Sequence, residues 1–238
     1  MTKNNSVIAI LGGMGPQASA KMLEVMISMA SRDFGAKNDS DFPEIVLNSV
    51  PVPNFISDQR NLKSALRILK ERVKSLENLN PSSFAIACNT AHILLDDLQA
   101  VTKVPFVSII DEVAKKVASE KISKVGLLST PSTNKFGLYQ TALQKRGITV
   151  ISPLRNECAQ VELIIRNVLR GRVISEDKKT LRDIALSLKS RSAEGIILGC
   201  TELPLVFPKE FGLPVFDSIE ILSRSLIGQH FGKEAKSD

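Results

Sequence analysis

Short apolar runs alternate along this chain with longer segments in which apolar residues recur every three or four positions. The continuous apolar run at 7–11 predicts a buried strand, and the helical spacing of apolar residues within 58–78 predicts an amphipathic helix. The same alternation continues to a last predicted helix at 218–230. Alternating strands and helices favour an α/β fold with mostly parallel sheets, because each helical crossover returns the chain to the same sheet edge.

The pattern starts over in the second half of the chain. Three pairs of landmarks recur in one order: the strands that start at Val7 and Val125, then Cys88 and Cys200, then Pro105 and Pro214. Their separations of 118, 112 and 109 positions are too long for a solenoid repeat, so they predict two similar α/β domains related by a pseudo-twofold. We predict that 1–105 plus 218–238 form the first domain and that 106–217 form the second. Ligands bind beyond the carboxyl edge of parallel strands, which predicts an active site in the interdomain cleft.

Composition narrows the class of partner. The net charge of +6 and the sequence pI of about 9.3 raise the question of nucleic acid. However, the basic residues are interleaved with acids along predicted helices, and one tyrosine and no tryptophan leave few rings for base stacking. We therefore expect no nucleic-acid partner, and an anionic small substrate fits the same charge. No apolar run reaches the roughly 18 residues of a membrane span, so no membrane partner is expected.

Cysteine usage points to a reducing compartment. The chain has three cysteines, an odd number without close spacing, and this argues against a disulfide framework. The N-terminal residues run into the first predicted strand without a signal-peptide pattern. Together these features predict a cytoplasmic protein.

Two of the cysteines stand where predicted strands end. Cys88 is followed by Asn89 and Thr90, and Cys200 is followed by Thr201. Asn89 and Thr90 are good N-cap residues, so a helix is expected to begin there, and its free N–H groups and dipole would lower the pKa of the thiol. Cys158 has no such surroundings and is interpreted as a packing residue.

Two thiols on facing walls suit one kind of chemistry. A thiolate can remove the proton beside a carboxylate, and a second thiol on the opposite face can return a proton, which inverts the carbon. The backbone N–H groups of Asn89, Thr90 and Thr201 and the hydroxyls of Thr90, Thr130 and Thr133 would hold the carboxylate. The glycine turn at 12–16 provides a further backbone-lined loop, although its spacing does not fit a dinucleotide-binding motif.

Other readings of the same residues remain open at this point. His92 follows Cys88 by four positions, where it would either tune the thiol or pack beside it. A Cys–His hydrolase would use both residues but would leave Cys200 without a role. A metal site would need more ligands than the two histidines of the chain offer, so none is predicted.

Three motifs together resemble the aspartate/glutamate racemase family, the cofactor-independent amino acid racemases with two cysteines. They are Gly-Gly-Met-Gly-Pro at 12–16, Cys-Asn-Thr-Ala-His at 88–92 and Gly-Cys-Thr-Glu-Leu at 199–203. The resemblance implies that Cys88 and Cys200 are the paired acid/base residues. It implies that the carboxylate end of the substrate is lined by Met14, Asn89, Thr90, Thr130, Thr133 and Thr201. It also implies that neither pyridoxal phosphate nor a metal is required, and that the protein forms a homodimer.

The chain departs from the family pattern where the substrate side chain is recognised. The family arginine that grips an acidic side chain falls near Phe55, and the first arginine after it is Arg60. A family lysine falls on Leu169, beside Arg170. These four residues are the candidates for side-chain recognition, and loss of the two cations favours a neutral or longer side chain. An acidic substrate would need Arg60, Arg166 or Arg170 to reach the site.

The sequence thus predicts an amino acid racemase with two alternatives. One is a related cysteine-dependent isomerase or decarboxylase, such as a maleate isomerase or a hydantoin racemase. The other is a non-catalytic amino-acid-binding protein on the same scaffold.

Overall fold

Two four-stranded parallel sheets form the framework of the protein in the computed structural model, which describes residues 7–55 and 59–232. The first sheet has the order β2-β1-β3-β4 and the second has the order β6-β5-β7-β8. The two orders are the same when the second set is counted from its own first strand. The prediction of an α/β fold built from two similar parallel sheets is therefore confirmed.

The first half contributes β1 (Val7–Gly12), α1 (Pro16–Arg32), β2 (Ile45–Ser49), α2 (Leu62–Glu77), β3 (Pro81–Ile86), α3 (Leu95–Gln99), β4 (Phe106–Val107) and α4 (Ile109–Ser119). The residues of β1 are buried along its whole length, as expected for a central parallel strand covered by helices on both faces. In register, Ile10 of β1 lies beside Leu47 of β2 and Ala85 of β3, so the three strands end at one edge.

The second half contributes β5 (Lys124–Ser129), α5 (Pro131–Lys135), α6 (Leu138–Gln144), β6 (Thr149–Ile151), α7 (Arg155–Leu169), α8 (Ser175–Ser190), β7 (Ile196–Gly199), β8 (Val215–Asp217) and α9 (Ser218–His230). Strand β5 is the counterpart of β1 and pairs with β6 and β7. The last helix matches its predicted bounds, and the Asp217 carboxylate caps it by accepting hydrogen bonds from the N–H groups of Ile219 and Glu220.

Two helical segments are interrupted. The stretch after β5 is divided into α5 and α6 at Gly137, whose φ of +63° suits glycine. The segment after Cys88 begins as a 3₁₀ turn, Thr90–Leu94, and only Leu95–Gln99 is α-helical. The helix start that was expected to carry the thiol is therefore a short, tight turn.

One continuous apolar cluster joins the two halves. It contains side chains of β1 and α1 from the first half, β5 and α6 from the second half, and the connecting helices α4 and α9. Helix α9 follows the second sheet but packs against α1 and α4. Burial of this shared surface holds the carboxyl edges of both sheets in fixed positions.

The division into 1–105 plus 218–238 and 106–217 stays a prediction. Strand β4 pairs with β3 of the first sheet, where Phe84 lies beside Phe106, so this strand belongs to the first sheet although it follows position 105. The proposed tail of the first domain, 233–238, lies outside the described residues. Within the described ranges, no helix has the length and apolar character needed to cross a membrane.

Candidate active site

The two cysteines occupy equivalent places in the two sheets. Cys88 follows β3 and Cys200 follows β7, each at the carboxyl end of the strand next to the central one. Each is 4% exposed and has a free thiol. The charge of a Cys88 thiolate raises the pKa of Cys200, so the two sulfur atoms lie within electrostatic reach of each other. The sequence repeat thus brings together two thiols from separate halves.

Both thiols are protonated in this arrangement. Burial raises the pKa of Cys88 to about 12, with a further rise from the nearby Glu202 carboxylate. The N–H groups of Ala91 and Thr90 lower this pKa, as a helix start was expected to do, but burial outweighs them. Burial and Glu202 likewise raise the pKa of Cys200 well above its usual value. The expectation of a lowered thiol pKa was therefore wrong.

Both ring nitrogens of His92 form hydrogen bonds with backbone groups. Its Nε2 accepts a hydrogen bond from the Ile109 N–H at 3.1 Å, so the proton is on Nδ1, which donates to the Cys88 carbonyl at 2.9 Å. Burial lowers the pKa of the ring to about 4. A neutral ring with both nitrogens occupied positions the Cys88 turn and does not act as a base toward the thiol.

This arrangement makes part of the stability depend on pH through His92. An unfolded histidine has a pKa near 6.5 and the folded ring has a pKa of about 4, so the unfolded state binds more protons between these values. The stability difference between the wild type and His92→Gln should therefore shrink as the pH falls from 6.5 to 4, by roughly 1.4 kcal/mol per unit inside this window. Urea unfolding of both proteins at four pH values would measure the difference.

Other buried acids with a raised pKa contribute equally to both proteins, so they cancel in this comparison. Burial raises the pKa of Asp217 to about 6, and this group is present in both proteins. A stability difference that does not change between pH 7 and pH 4.5 would mean that the His92 ring is not held neutral.

Three threonines join the two halves beside the thiols. The Thr90 hydroxyl lies 2.9 Å from the Thr130 hydroxyl and 3.0 Å from the Thr133 hydroxyl, and these last two are 3.0 Å apart. All three side chains are buried. Thr130 also caps α5 by accepting a hydrogen bond from the Thr133 N–H. The structure thus brings together the three hydroxyls that the sequence singled out, one from the first half and two from the second.

The Asn89 side chain has a different role from the predicted helix cap. Its amide donates to the Ser218 hydroxyl at 3.0 Å, and its carbonyl oxygen accepts from the Tyr139 hydroxyl at 2.5 Å. Ser218 in turn donates to the Leu198 carbonyl of β7 at 2.9 Å. This buried chain of hydrogen bonds connects the Cys88 loop to the strand that carries Cys200, so Asn89 positions the two walls relative to each other.

Cys200 is paired with a buried acid. Its thiol donates to Oε2 of Glu202 at 2.9 Å, and the Thr201 hydroxyl donates to the same oxygen at 3.1 Å. Burial raises the pKa of Glu202, while hydrogen bonds from Cys200, from Thr201 and from the backbone N–H groups of Glu202 and Gly15 lower it. At the equivalent place after Cys88 stands Thr90, so the two thiols have different neighbours.

The glycine loop brings the first half close to this acid. At Gly13, φ is +89° and an added Cβ would lie 2.5 Å from the Val50 backbone, so the tight turn needs glycine. At Gly15, an added Cβ would lie 2.5 Å from both Glu202 Oε1 and Leu169 Cδ2. Met14 is buried in the same apolar cluster as Cys88. The loop is thus wedged between the Cys88 wall and the Cys200 wall.

The candidates for side-chain recognition lie in different places. Leu169, at the end of α7, contacts the glycine loop beside Glu202, and Phe55 is buried in the cluster of Met14 and Cys88. Arg60 and Arg170 are exposed. Arg166 forms an ion pair with Glu162 one turn away on α7, at 2.7 Å. The structure therefore places an apolar side chain, and none of these three arginines, against the glycine loop.

Three residues that the sequence reasoning did not assign also belong to this region: Tyr139, Ser218 and Glu202. Glu202 carried a signal, since it is part of the Gly-Cys-Thr-Glu-Leu motif. Tyr139 and Ser218 carried none, because only folding brings them to Asn89.

Cys158 is half-buried and donates a weak hydrogen bond to the Pro153 carbonyl. No group of three or more metal-ligating side chains occurs in the part of the chain that the structure describes.

Known proteins share this arrangement in sequence and fold. A family model described as Asp/Glu/Hydantoin racemase matches residues 11–226. The broad specificity amino-acid racemase RacX of Bacillus subtilis (strain 168) is 28% identical over 233 residues, which cover 96% of this chain and 100% of that protein.

Two solved structures of similar proteins share the fold over nearly the whole length of this chain. PH1733, an aspartate racemase homologue from Pyrococcus horikoshii OT3, has a TM-score of 0.79 at 32% identity and covers 94% of this chain and 99% of its own. The Picrophilus torridus aspartate racemase has a TM-score of 0.80 at 28% identity and covers 97% and 96% of the two chains. The family resemblance drawn from three motifs is confirmed, and this chain belongs to the Asp/Glu/hydantoin racemase family.

Proposed function

We propose that this protein racemises free amino acids, with Cys88 and Cys200 as the two acid/base groups. The observation that carries the proposal is the pair of buried thiols at equivalent ends of two like sheets, each within electrostatic reach of the other. One thiolate would take the α-proton from one face, and the opposite thiol would donate its proton to the other face. The roles of the two thiols exchange when the reaction runs in the other direction.

The substrate carboxylate is proposed to lie at the threonine cluster. The hydroxyls of this cluster hydrogen-bond to one another, and they belong to Thr90, Thr130 and Thr133. A bound carboxylate would accept hydrogen bonds from the same hydroxyls in place of these mutual ones. The N–H groups of Thr90 and Ala91 lie beside the Cys88 sulfur. Donors held at this end would stabilise the negative charge that spreads onto the carboxylate when the α-proton leaves.

The proposed substrates have uncharged side chains. Leu169 contacts the glycine loop beside Glu202, whereas Arg60 and Arg170 are exposed and Arg166 is paired with Glu162. An apolar wall offers no charge-assisted hydrogen bonds to a second carboxylate on the substrate, so it does not favour acidic side chains. The similar Bacillus subtilis protein is named a broad specificity amino-acid racemase, which supports a site that is not restricted to acidic substrates.

A lysine in place of Leu169 should turn the preference toward acidic substrates. We expect Leu169→Lys to raise the ratio of kcat/KM for aspartate to kcat/KM for leucine by about 10- to 100-fold, since a charge-assisted hydrogen bond would form only with the acid. Leu163→Lys is the matched control, because Leu163 is on the same helix and is 55% exposed. Equal ratios in both variants would place Leu169 outside the side-chain pocket.

The homodimer and the cytoplasmic location belong to the same proposal. The family resemblance supports the dimer, and sedimentation velocity would measure it. Three free cysteines, two of them proposed to work as thiols, support a reducing compartment. We also retain as a proposal the division into two domains, at 1–105 plus 218–238 and 106–217.

Proton NMR in D₂O tests the function directly. A panel of L- and D-amino acids is incubated with the protein and no added cofactor, and both the α-proton signal and the enantiomer composition are followed. Loss of the α-proton together with appearance of the other enantiomer is the expected result for at least one amino acid. No exchange with any amino acid, from a folded and reduced protein, would overturn the proposal in favour of a related isomerase or a binding protein.

A further inference from the structure

Cys200 and Glu202 form a buried thiol–carboxylate pair. The thiol donates a hydrogen bond to Oε2 of Glu202 at 2.9 Å, and the two residues are 4% and 2% exposed. A base within hydrogen-bond reach of a thiol, itself oriented by a third group, is the usual arrangement for activating that thiol. Cys200 therefore has an acceptor for its proton already in contact.

The carboxylate of this pair is held from both halves of the protein. The Thr201 hydroxyl donates to the same oxygen at 3.1 Å, and backbone N–H groups of Gly15 and Glu202 stabilise the charged form. Gly15 packs closely against it, since an added Cβ there would lie 2.5 Å from Glu202 Oε1. The third groups that orient the base are therefore a hydroxyl of the second half and the glycine loop of the first.

The pair can form a thiolate without a change in its total charge. When the proton moves from Sγ of Cys200 to Oε2 of Glu202, an S–H bond breaks, an O–H bond forms and the negative charge moves from the carboxylate to sulfur. Loss of the proton to water would instead leave two negative charges in one buried pair, which is costly. Burial also raises the pKa of Glu202, and this makes its carboxylate a better proton acceptor.

Cys88 has no acid in the equivalent place. Thr90 stands there, and a hydroxyl is a far weaker proton acceptor than a carboxylate. The N–H groups of Ala91 and Thr90 favour a Cys88 thiolate, whereas the charge of Glu202 disfavours it. The two thiols therefore differ in the way they ionise, although the sheets that carry them are alike.

We propose that Glu202 accepts the proton of Cys200 through Oε2 and so generates the Cys200 thiolate inside the site. What the thiolate then does rests on the proposed function: it takes the α-proton of the substrate, and Cys88 donates its own proton to the opposite face. When the product leaves, the proton on Glu202 returns through water to the thiolate at Cys88. Glu202 is thus a positioning residue that acts through Cys200.

Deuterium exchange in single-thiol proteins separates the two thiols. In Cys88→Ser only Cys200 can exchange the α-proton, and addition of Glu202→Gln should slow this exchange about 10²-fold because the acceptor is gone. In Cys200→Ser only Cys88 acts, and the same addition should leave exchange equal or faster, because a negative charge near Cys88 is lost. Glu210→Gln, at an exposed position, is the control in both backgrounds and should change neither rate.

Alkylation of Cys200 by iodoacetamide tests the pair without any substrate. While Cys200 and Glu202 share one proton, the small population with this proton on Glu202 does not depend on pH. In Cys88→Ser, the alkylation rate of Cys200 should therefore change less than about twofold between pH 7 and pH 8.5. Addition of Glu202→Gln should restore a rise of about tenfold per pH unit, as for any thiol far below its pKa.

The other titratable groups around the pair keep their charge over this pH range. The pKa of Tyr139 is raised well above its usual value, and the pKa of His92 is about 4, so both side chains stay neutral. Asp217, with a pKa of about 6, stays mostly charged. A flat alkylation profile can therefore be assigned to the pair.

The two readouts separate this inference from the proposed function. If no amino acid exchanges its α-proton but Glu202→Gln abolishes a flat Cys200 profile, the proton transfer stands and the racemase proposal falls. If amino acids are racemised but Glu202→Gln slows exchange equally in both single-thiol backgrounds, Glu202 serves only the fold and the inference is overturned. A Cys200 profile that rises tenfold per pH unit with Glu202 in place would also overturn it.

Discussion

Replacement of either Cys88 or Cys200 by serine is expected to lower the rate of α-carbon inversion by about 10²- to 10⁴-fold. A serine hydroxyl has nearly the size of a thiol but is a far weaker acid, so the buried site would keep its shape and lose one of its two proton carriers. The racemase model needs one carrier on each wall. Loss of either thiol should therefore stop inversion in both directions.

Exchange without inversion should survive in each single variant. The remaining thiol can still remove and return a proton on its own face, so the α-proton of one enantiomer is replaced by deuterium while its configuration is kept. Cys88→Ser and Cys200→Ser should exchange opposite enantiomers, and proton NMR in D₂O reads both exchange and inversion.

Cys158→Ser provides the control for these variants. Cys158 is half-buried and donates to the Pro153 carbonyl, away from the two thiols of the site, so its loss should leave both rates unchanged. If a single variant at Cys88 or Cys200 still inverted substrate at the wild-type rate, the two-thiol mechanism would be wrong. If both variants exchanged the same enantiomer, the thiols would not lie on opposite faces.

The framework of the protein could be predicted from the sequence because its strands are buried on both faces. Such strands are continuous apolar runs, as at Val7–Gly12, and the chain must end each of them at the same sheet edge. The repeated landmarks then predicted two like sheets, and the two strand orders are the same. The positions of the two cysteines could be predicted in the same way, since each lies just after a strand at the carboxyl edge of its sheet.

The surroundings of the thiols could not be predicted because they come from the other half of the chain. Asn89 is a good helix cap by type, but Tyr139 and Ser218 reach its side chain only after folding. The pKa of the Cys88 thiol is raised by burial and by Glu202, a residue 114 positions later in the chain. Leu169 was singled out by family pattern alone, and its contact with Gly15 required the structure.

These contacts imply that the free protein protects its thiols from reaction. A thiol with a pKa of about 12 is almost wholly protonated at neutral pH, so Cys88 is a poor nucleophile until its surroundings change. The burial that keeps the thiols protonated would also strengthen the electrostatic contacts made to a bound substrate, because water is excluded from them.

The alkylation rate of Cys88 in the free protein should accordingly rise about tenfold per pH unit from pH 7 to pH 10, a total of roughly 10³-fold. The sign follows from the pKa, because the reactive thiolate fraction grows with pH everywhere below about 12. Iodoacetamide labelling of Cys158→Ser, quantified by mass spectrometry of the Cys88 peptide, measures this rate without interference from the more exposed thiol. Circular dichroism at each pH confirms that the protein stays folded.

The shape of this profile decides whether the thiol rests protonated or activated. A free thiol such as glutathione, with a pKa near 8.5, levels off above pH 9 under the same conditions and serves as the reference. A plateau for Cys88 at pH 8 or below would mean that the thiolate already exists in the free protein, and burial would then not control its ionisation. A rise that continues past the plateau of the reference would show that the Cys88 thiol rests protonated in the free protein.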